Sequence, residues 1–269
     1  MYLRVAPELH LKKLIVGNID KLFELNKNFR NEGVSNIHHP EFTSIEFYQI
    51  NKSYIYFMEF TENLLKVLLF QLKGCSLFSY QNIYFDFSLL FNKITLLNSI
   101  LLINTHLKLH NLFNTKFLMQ SLYNLNYEIF YYQSIGQLQS LLFEKTVESY
   151  LVQPTFILNY PSSISPLSQR NKKNYFFADR FELYISSNEI ANGFSELYKI
   201  KEQVTSFNDQ FFIRNREHHG NNRYYDLSYI DALHHGMPII VGEGLGIDRL
   251  VMLLTNSLFI KETLFFPFF

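Results

Sequence analysis

The sequence predicts an α+β fold, a mainly antiparallel sheet flanked by helices, and three stretches carry that prediction. Residues 22–30 and 41–48 each read as a strand, and the polar link between them makes them a hairpin. Side chains two apart share a strand face, so Phe42, Ser44, Glu46 and Tyr48 lie together, beside Asn26, Asn28 and Arg30. The hairpin therefore gathers Arg30, Glu32, Phe42, Glu46 and Tyr48, a set that makes a site and not a core. Residues 181–185 (FELYI) and 189–196 form a second strand pair across the turn Ser186-Ser187-Asn188. In the third stretch, Gly242, Gly244 and Gly246 alternate along a strand that enters an apolar helix through Asp248 and Arg249.

Composition narrows the function. The 269 residues suffice for a sizeable core, and 24 basic residues balance 24 acidic ones. A net charge of zero leaves no global basic field to hold nucleic acid. The single cysteine, Cys75, excludes an internal disulfide and a Cys-rich zinc site, and fits a reducing compartment. The N-terminal stretch lacks the basic-then-apolar order of a signal peptide, and the most apolar run, 94–103, is short of the ~20 residues a bilayer requires. These features predict a cytoplasmic protein with no membrane partner. Phe and Tyr are abundant (28 and 18), as are Asn, Ile, Leu and Lys, while Trp is absent. The favoured types have A+T-rich codons, which predicts a gene from a strongly A+T-biased genome. A third-position G+C content near one half would overturn that.

Taken in order, residues 1–16 read as a short strand into a helix, with Pro7 in the first turn and Glu8 where the helix dipole favours a carboxylate. Phe57, Phe60, Leu64, Leu65, Leu68 and Leu69 recur at helical spacing across 53–72, as a core-covering helix requires. Residues 74–136 carry few charges and no motif, and read as a helical insertion. His106 and His110 are four apart, but no third ligand stands beside them, so they read as scattered helix histidines. Residues 137–152 are an amphipathic helix with Leu138, Leu141, Leu142, Lys145 and Val147 at or near its inner side. Glu182 and Glu189 flank the second turn, where two carboxylates suit a hard cation such as Mg²⁺; taken alone, a solvated hairpin is the alternative. Asn192, Phe194 and Glu196 have the opposite phase from Glu189, which predicts a bulge near Gly193. Residues 204–223 read as a polar loop, and 229–235 as a short helix ended by Gly236. The G-x-G-x-G spacing at 242–246 fits neither a dinucleotide fingerprint nor a P-loop; a close-packed strand whose following helix presents Arg249 is the better reading.

Five ordered segments carry a resemblance. LRVAPELHLKKLIVG, FELNKNFRNEGVSNIHHPEFTSIEFY, LVQPTFILNYPSSISPL, DRFELYISSNEIANGFSEL and GEGLGIDRLVMLLTNS are similar, in order and spacing, to the catalytic domain of class II lysyl-tRNA synthetases. Residues 20–50 resemble that class's motif 2 and 240–256 its motif 3, whereas 74–136 match poorly. EFTSIEFY and EIANGFSEL favour lysine over the aspartate and asparagine relatives. On this resemblance residues 1–269 form one catalytic domain that begins after motif 1 and the anticodon-binding OB domain.

The resemblance implies a role for each side chain. Arg30 and Arg249 would be catalytic, Arg30 holding the α-phosphate and the lysine carboxylate with its fixed fork of donors. ATP would be bound by Arg30, Glu32, His38, Phe42 and Arg249, with Phe42 and Arg249 on opposite adenine faces. Lysine would be read by Glu8 at its α-amine, Asn192 near its carboxylate, and Glu46, Tyr48 and Glu196 at its ε-ammonium. Glu182 and Glu189 would hold Mg²⁺. The implied partners are lysine, ATP, the tRNA(Lys) acceptor end and a second copy of the chain, although the motif 1 interface is not in this sequence. One departure stands inside motif 3, where Glu243 occupies a position that is usually small or apolar. Two other readings stay open: a paralogue that lysylates a protein of the elongation factor P type, and a non-catalytic remnant that keeps the pocket.

Overall fold

The structure, a computed structural model, describes residues 3–31, 33–128, 130, 133–217 and 226–267, with the backbone alone for 212–217. Among them the strands are β1 (Lys21–Phe29), β2 (Glu41–Ile50), β3 (Leu77–Tyr80), β4 (Ile83–Asp86), β5 (Asn92–Thr95), β6 (Thr155–Leu158), β7 (Arg180–Ile185), β8 (Asn188–Ser195) and β9 (Ile240–Gly246). The helices are α1 (Glu8–Val16), α2 (Tyr54–Lys73), α3 (Leu96–Ile103), α4 (Leu109–Leu112), α5 (Thr115–Asn124), α6 (Ile135–Thr146), α7 (Ile200–Glu217), α8 (Leu227–His234) and α9 (Ile247–Thr255).

Seven strands form one sheet in the order β1-β2-β9-β8-β7-β6-β5, antiparallel except between β5 and β6. The first hairpin pairs Phe29 with Glu41 and Lys21 with Gln49, which sets Asn28, Asn26 and Glu24 opposite Phe42, Ser44 and Glu46. The second hairpin turns through Ser186 and Ser187, both at positive φ (51° and 61°), as the tight two-residue turn between twisted strands requires. β9 lies between the two hairpins, so three segments far apart in sequence occupy adjacent strands.

One face of the sheet is sealed by α2, whose Phe57, Leu65 and Leu69 pack with Phe181, Leu183, Val241 and Leu245. Burial of each such side chain contributes about 1.5–3 kcal/mol. The helix stops at Gly74, whose φ of 71° supplies the left-handed C-cap. A second core joins α3, α5 and α6 through Leu97, Ile100, Leu118, Leu122, Leu138 and Leu142, and a third joins α1 and α8 through Leu11, Ile15, Tyr229 and Leu233. Among the described residues, no helix is long and apolar enough to cross a membrane.

Several local expectations are corrected. Residues 3–7 form no strand, although the Arg4 carbonyl accepts the Phe29 N–H at 2.9 Å. The 74–136 stretch is not wholly helical: it opens with the β3–β4 hairpin and contributes β5 to the main sheet. These strands are four residues long, too short for a period to show, and Gln81 and Asn82 supply the positive-φ turn without glycine. His106 lies outside α4, so the two histidines do not share a helix. Lys145 is exposed rather than inward. The bulge falls at Ile190 and not near Gly193, since Tyr184 pairs with Glu189 while Leu183 pairs with Ala191. Residues 204–217 belong to α7, whose Val204 and Phe207 pack on the third core, and 218–223 lie outside the described residues.

Glu243 faces α2 and is buried, with the Thr61 hydroxyl 2.6 Å from its carboxyl group. Burial pushes its pKa up to about 8, and the Thr61 bond only partly opposes that. The folded state therefore binds a proton that the unfolded chain releases near pH 4.5, so stability falls as pH rises from there to about 8. Relative to Glu243→Gln, which cannot ionise, the native protein is expected to lose roughly 3 kcal/mol between pH 5.5 and 8.5. Urea midpoints of both proteins at the two pH values measure this, and parallel pH profiles would refute it.

Candidate active site

The face of β2, β9 and β8 turned away from α2 floors a cavity of about 310 Å³. Its lining includes Glu8, Arg30, His38, Phe42, Glu46, Tyr48, Glu189, Asn192, Glu196 and Arg249, all named from the sequence. Glu182 opens instead on a neighbouring depression, which it shares with Glu189. Glu32 lies outside the described residues.

The cationic end is built from the hairpin loop and α9. Arg30 donates to the Val5 carbonyl at 3.4 Å, and its guanidinium carbon stands 4.9 Å from the Phe42 ring centre. Arg249, in the first turn of α9, donates to the Glu189 carbonyl at 2.7 Å. His38 lies with Nε2 3.1 Å from the same guanidinium and Nδ1 2.9 Å from the Ser35 hydroxyl. The Asp248 carboxylate accepts the Thr43 N–H at 2.6 Å, which ties α9 to β2 and sets where Arg249 emerges.

The anionic end is built from α1, β2 and the end of β8. Tyr48 donates to Glu46 at 3.1 Å. Burial, with the Glu8 charge beside it, pushes Glu46 up to about 7, and burial likewise raises the Tyr48 phenol. Glu196 Oε1 is buried without a hydrogen-bond partner. Room for these groups depends on Gly242, which pairs with Tyr48 across the strands: a Cβ there would stand 2.3 Å from the Tyr48 ring and 2.5 Å from Glu196 Oε1. At Gly244 the nearest atom would be 3.6 Å away, so the demand for glycine is local.

Three buried groups were not singled out from the sequence. Lys12 is wholly buried, 2.6 Å from Glu8 and 2.5 Å from Glu196. Burial alone would lower its pKa, but the two carboxylates outweigh it and hold the ammonium above the ordinary lysine range. The signal was Glu8 and Lys12 at i, i+4 on the helix face that also carries Leu11 and Ile15. Tyr160 and Tyr184 donate to Glu182 at 2.6 and 2.8 Å, and Arg180 pairs with its other oxygen. Tyr184 stands two residues from Glu182 on β7, so the strand period could have placed it there, whereas Tyr160 comes from the segment after β6 and no local pattern marks it.

The carboxylates of Glu182 and Glu189 fit a cation to a limited degree. Desolvation in the cleft wall and then the Glu182 charge push Glu189 up to about 7, which an added cation would relieve, although its side chain keeps 39% exposure and solvent screens the effect. Among the described residues no group of three or more His, Cys, Asp or Glu converges as a metal site. Two carboxylates suffice for Mg²⁺ only where phosphate oxygens and water complete the shell.

One cavity thus carries Arg30, His38 and Arg249 at one end and the carboxylates of Glu8, Glu46 and Glu196 at the other. The family model described as tRNA synthetases class II (D, K and N) matches residues 1–269. The chain belongs to the class II tRNA synthetases. Similar curated proteins are lysine–tRNA ligases: that of Buchnera aphidicola subsp. Schizaphis graminum is 46% identical over 267 residues, covering 99% of this chain and 53% of the relative. Those of Baumannia cicadellinicola and Aeromonas salmonicida are 45% and 42% identical, each again covering 99% of this chain and 53% of the relative. The chain thus spans about half the length of the synthetases it matches. The structure sets the β1–β2 hairpin beside β9, which leads into α9.

Proposed function

We propose that the chain supplies the aminoacylation site of a lysine–tRNA ligase, activating lysine with ATP and passing the lysyl group to the 3′ end of tRNA(Lys). The observation that supports this reading best is the pairing of carboxylates and a phenol at one end of the cavity with Arg30, Arg249 and His38 at the other. The names carried by relatives 45–46% identical favour tRNA over a protein as acceptor.

In the first step a lysine carboxylate oxygen bonds to the α-phosphorus, the α–β bridging P–O bond breaks, and pyrophosphate leaves. In the second a hydroxyl of the tRNA 3′-terminal ribose attacks the lysyl carbonyl and AMP leaves. Little covalent work falls to the protein, so positioning and charge stabilisation carry the rate. Arg30 bridges the two reacting anions, and Arg249, His38 and Phe42 hold the nucleotide, with Glu32 at the adenine. Glu8 and Asn192 hold the backbone end of lysine, and Glu46, Tyr48 and Glu196 its ε-ammonium. Glu182 and Glu189 hold Mg²⁺ with the phosphates; when bound, the ion neutralises charge on pyrophosphate.

Residues 1–269 act as one catalytic domain in the cytoplasm, and the exposed Phe23 and Leu25 of β1 support association with a second copy or with further chain. Lysine-dependent ATP–pyrophosphate exchange tests the function, with the chain alone and mixed with the remaining half of a related synthetase. Exchange in either case supports it. ATP binding without exchange in both would replace it with a non-catalytic pocket.

A further inference from the structure

The amino-acid end of the cavity holds three carboxylates, Glu8, Glu46 and Glu196, whereas lysine brings two ammonium groups. The surplus carboxylate has its counter-charge in the fold itself. Lys12 Nζ stands 2.6 Å from Glu8 Oε1 and 2.5 Å from Glu196 Oε2, and none of its side chain is exposed. The Phe194 ring centre lies 5.5 Å from the same nitrogen. Helical spacing presents Lys12 to Glu8 one turn away, and Leu11 and Ile15 bury that face of α1. An ammonium without partners would be costly here, so the two carboxylates hold it and it holds them. Lys12 does not line the cavity, and Glu196 keeps its second oxygen unpaired. One oxygen of Glu196 is thus neutralised from behind, and the other is left for a ligand.

We propose that Lys12 is a positioning residue for amino-acid recognition, whose ammonium aims Glu8 and Glu196 and offsets one of three negative charges so that two remain for the two ammonium groups of lysine. The inference rests on the lysine-activating reading above and adds a residue that touches no substrate. It also names a source of selectivity. A neutral analogue of equal length, such as norleucine, leaves one buried carboxylate without a counter-charge, whereas lysine leaves none.

Calorimetric titrations of the full chain with lysine and, separately, with ATP test this in the native protein, Lys12→Met and Lys12→Arg, with thermal melts alongside. Lys12→Met is expected to weaken lysine binding about 30-fold or more while ATP binding changes less than about threefold. Lys12→Arg keeps the charge and is expected to recover at least about tenfold of that loss. Native-like lysine affinity in Lys12→Met, or no recovery in Lys12→Arg, overturns the inference. If the melt shows that Lys12→Met does not fold, Lys12→Gln takes its place, and equal lysine affinities of the Gln and Arg variants overturn it. A native chain that binds ATP but not lysine refutes the lysine reading itself, which separates that failure from this one.

Discussion

Arg30→Ala is expected to reduce lysine-dependent ATP–pyrophosphate exchange by at least about 10³-fold while leaving the melting temperature nearly unchanged. The two halves of that expectation have separate causes. Arg30 is exposed at the end of β1, where it stacks on Phe42 and donates to the Val5 carbonyl at 3.4 Å, so little packing is lost with it. In the proposed reaction the same guanidinium spans the α-phosphate and the lysine carboxylate, two anions that repel until a bidentate cation stands between them. A lysine side chain in its place would supply charge without the fork, so Arg30→Lys should recover only part of the loss. Steady-state exchange rates, with ATP affinity measured in parallel, check this. An alanine variant within tenfold of the native rate would remove Arg30 from the mechanism.

Gly242→Ala is expected to weaken lysine binding by about 100-fold or more and to destabilise the fold by about 1–3 kcal/mol, whereas Gly244→Ala should leave stability within about 1 kcal/mol. A Cβ at residue 242 would meet Tyr48 Cε1 at 2.3 Å and Glu196 Oε1 at 2.5 Å. Neither neighbour can yield easily: the Tyr48 ring is buried, and Glu196 is held by Lys12. Either displacement moves a group proposed to read the ε-ammonium. At residue 244 the closest atom, Glu46 Cγ, would be 3.6 Å away, an ordinary contact. Lysine titrations and urea unfolding of both variants check the contrast. Native lysine affinity in Gly242→Ala would show that the Tyr48–Glu196 wall does not read the substrate.

Much of the site was legible in the sequence because it is built on strands. A period of two places Phe42, Ser44, Glu46 and Tyr48 on one face without knowledge of the rest of the chain, and the register bears that placement out. Glycines at alternate positions before Asp248-Arg249 announced a close approach, and Gly242 makes one. Short or polar elements were less legible. The β3 and β4 strands are too brief for a pattern, and α7 carries its apolar contacts, Val204 and Phe207, within a polar run. Lys12 was missed because a lysine on a helix is ordinarily solvated, and only the arrival of Glu196 from the end of β8 makes burial tolerable.

The α+β class, the two hairpins, the polar face of β2 and the family could be read from the sequence, because they rest on local spacing and on the order of short segments. Tertiary contacts set which groups far apart in sequence meet: Lys12 with Glu196, Asp248 with the Thr43 N–H, and Tyr160 with Glu182. Each depends on which strands are neighbours and what packs on them, as where β9 inserts between the hairpins and brings Asp248 to β2, and no local pattern encodes that.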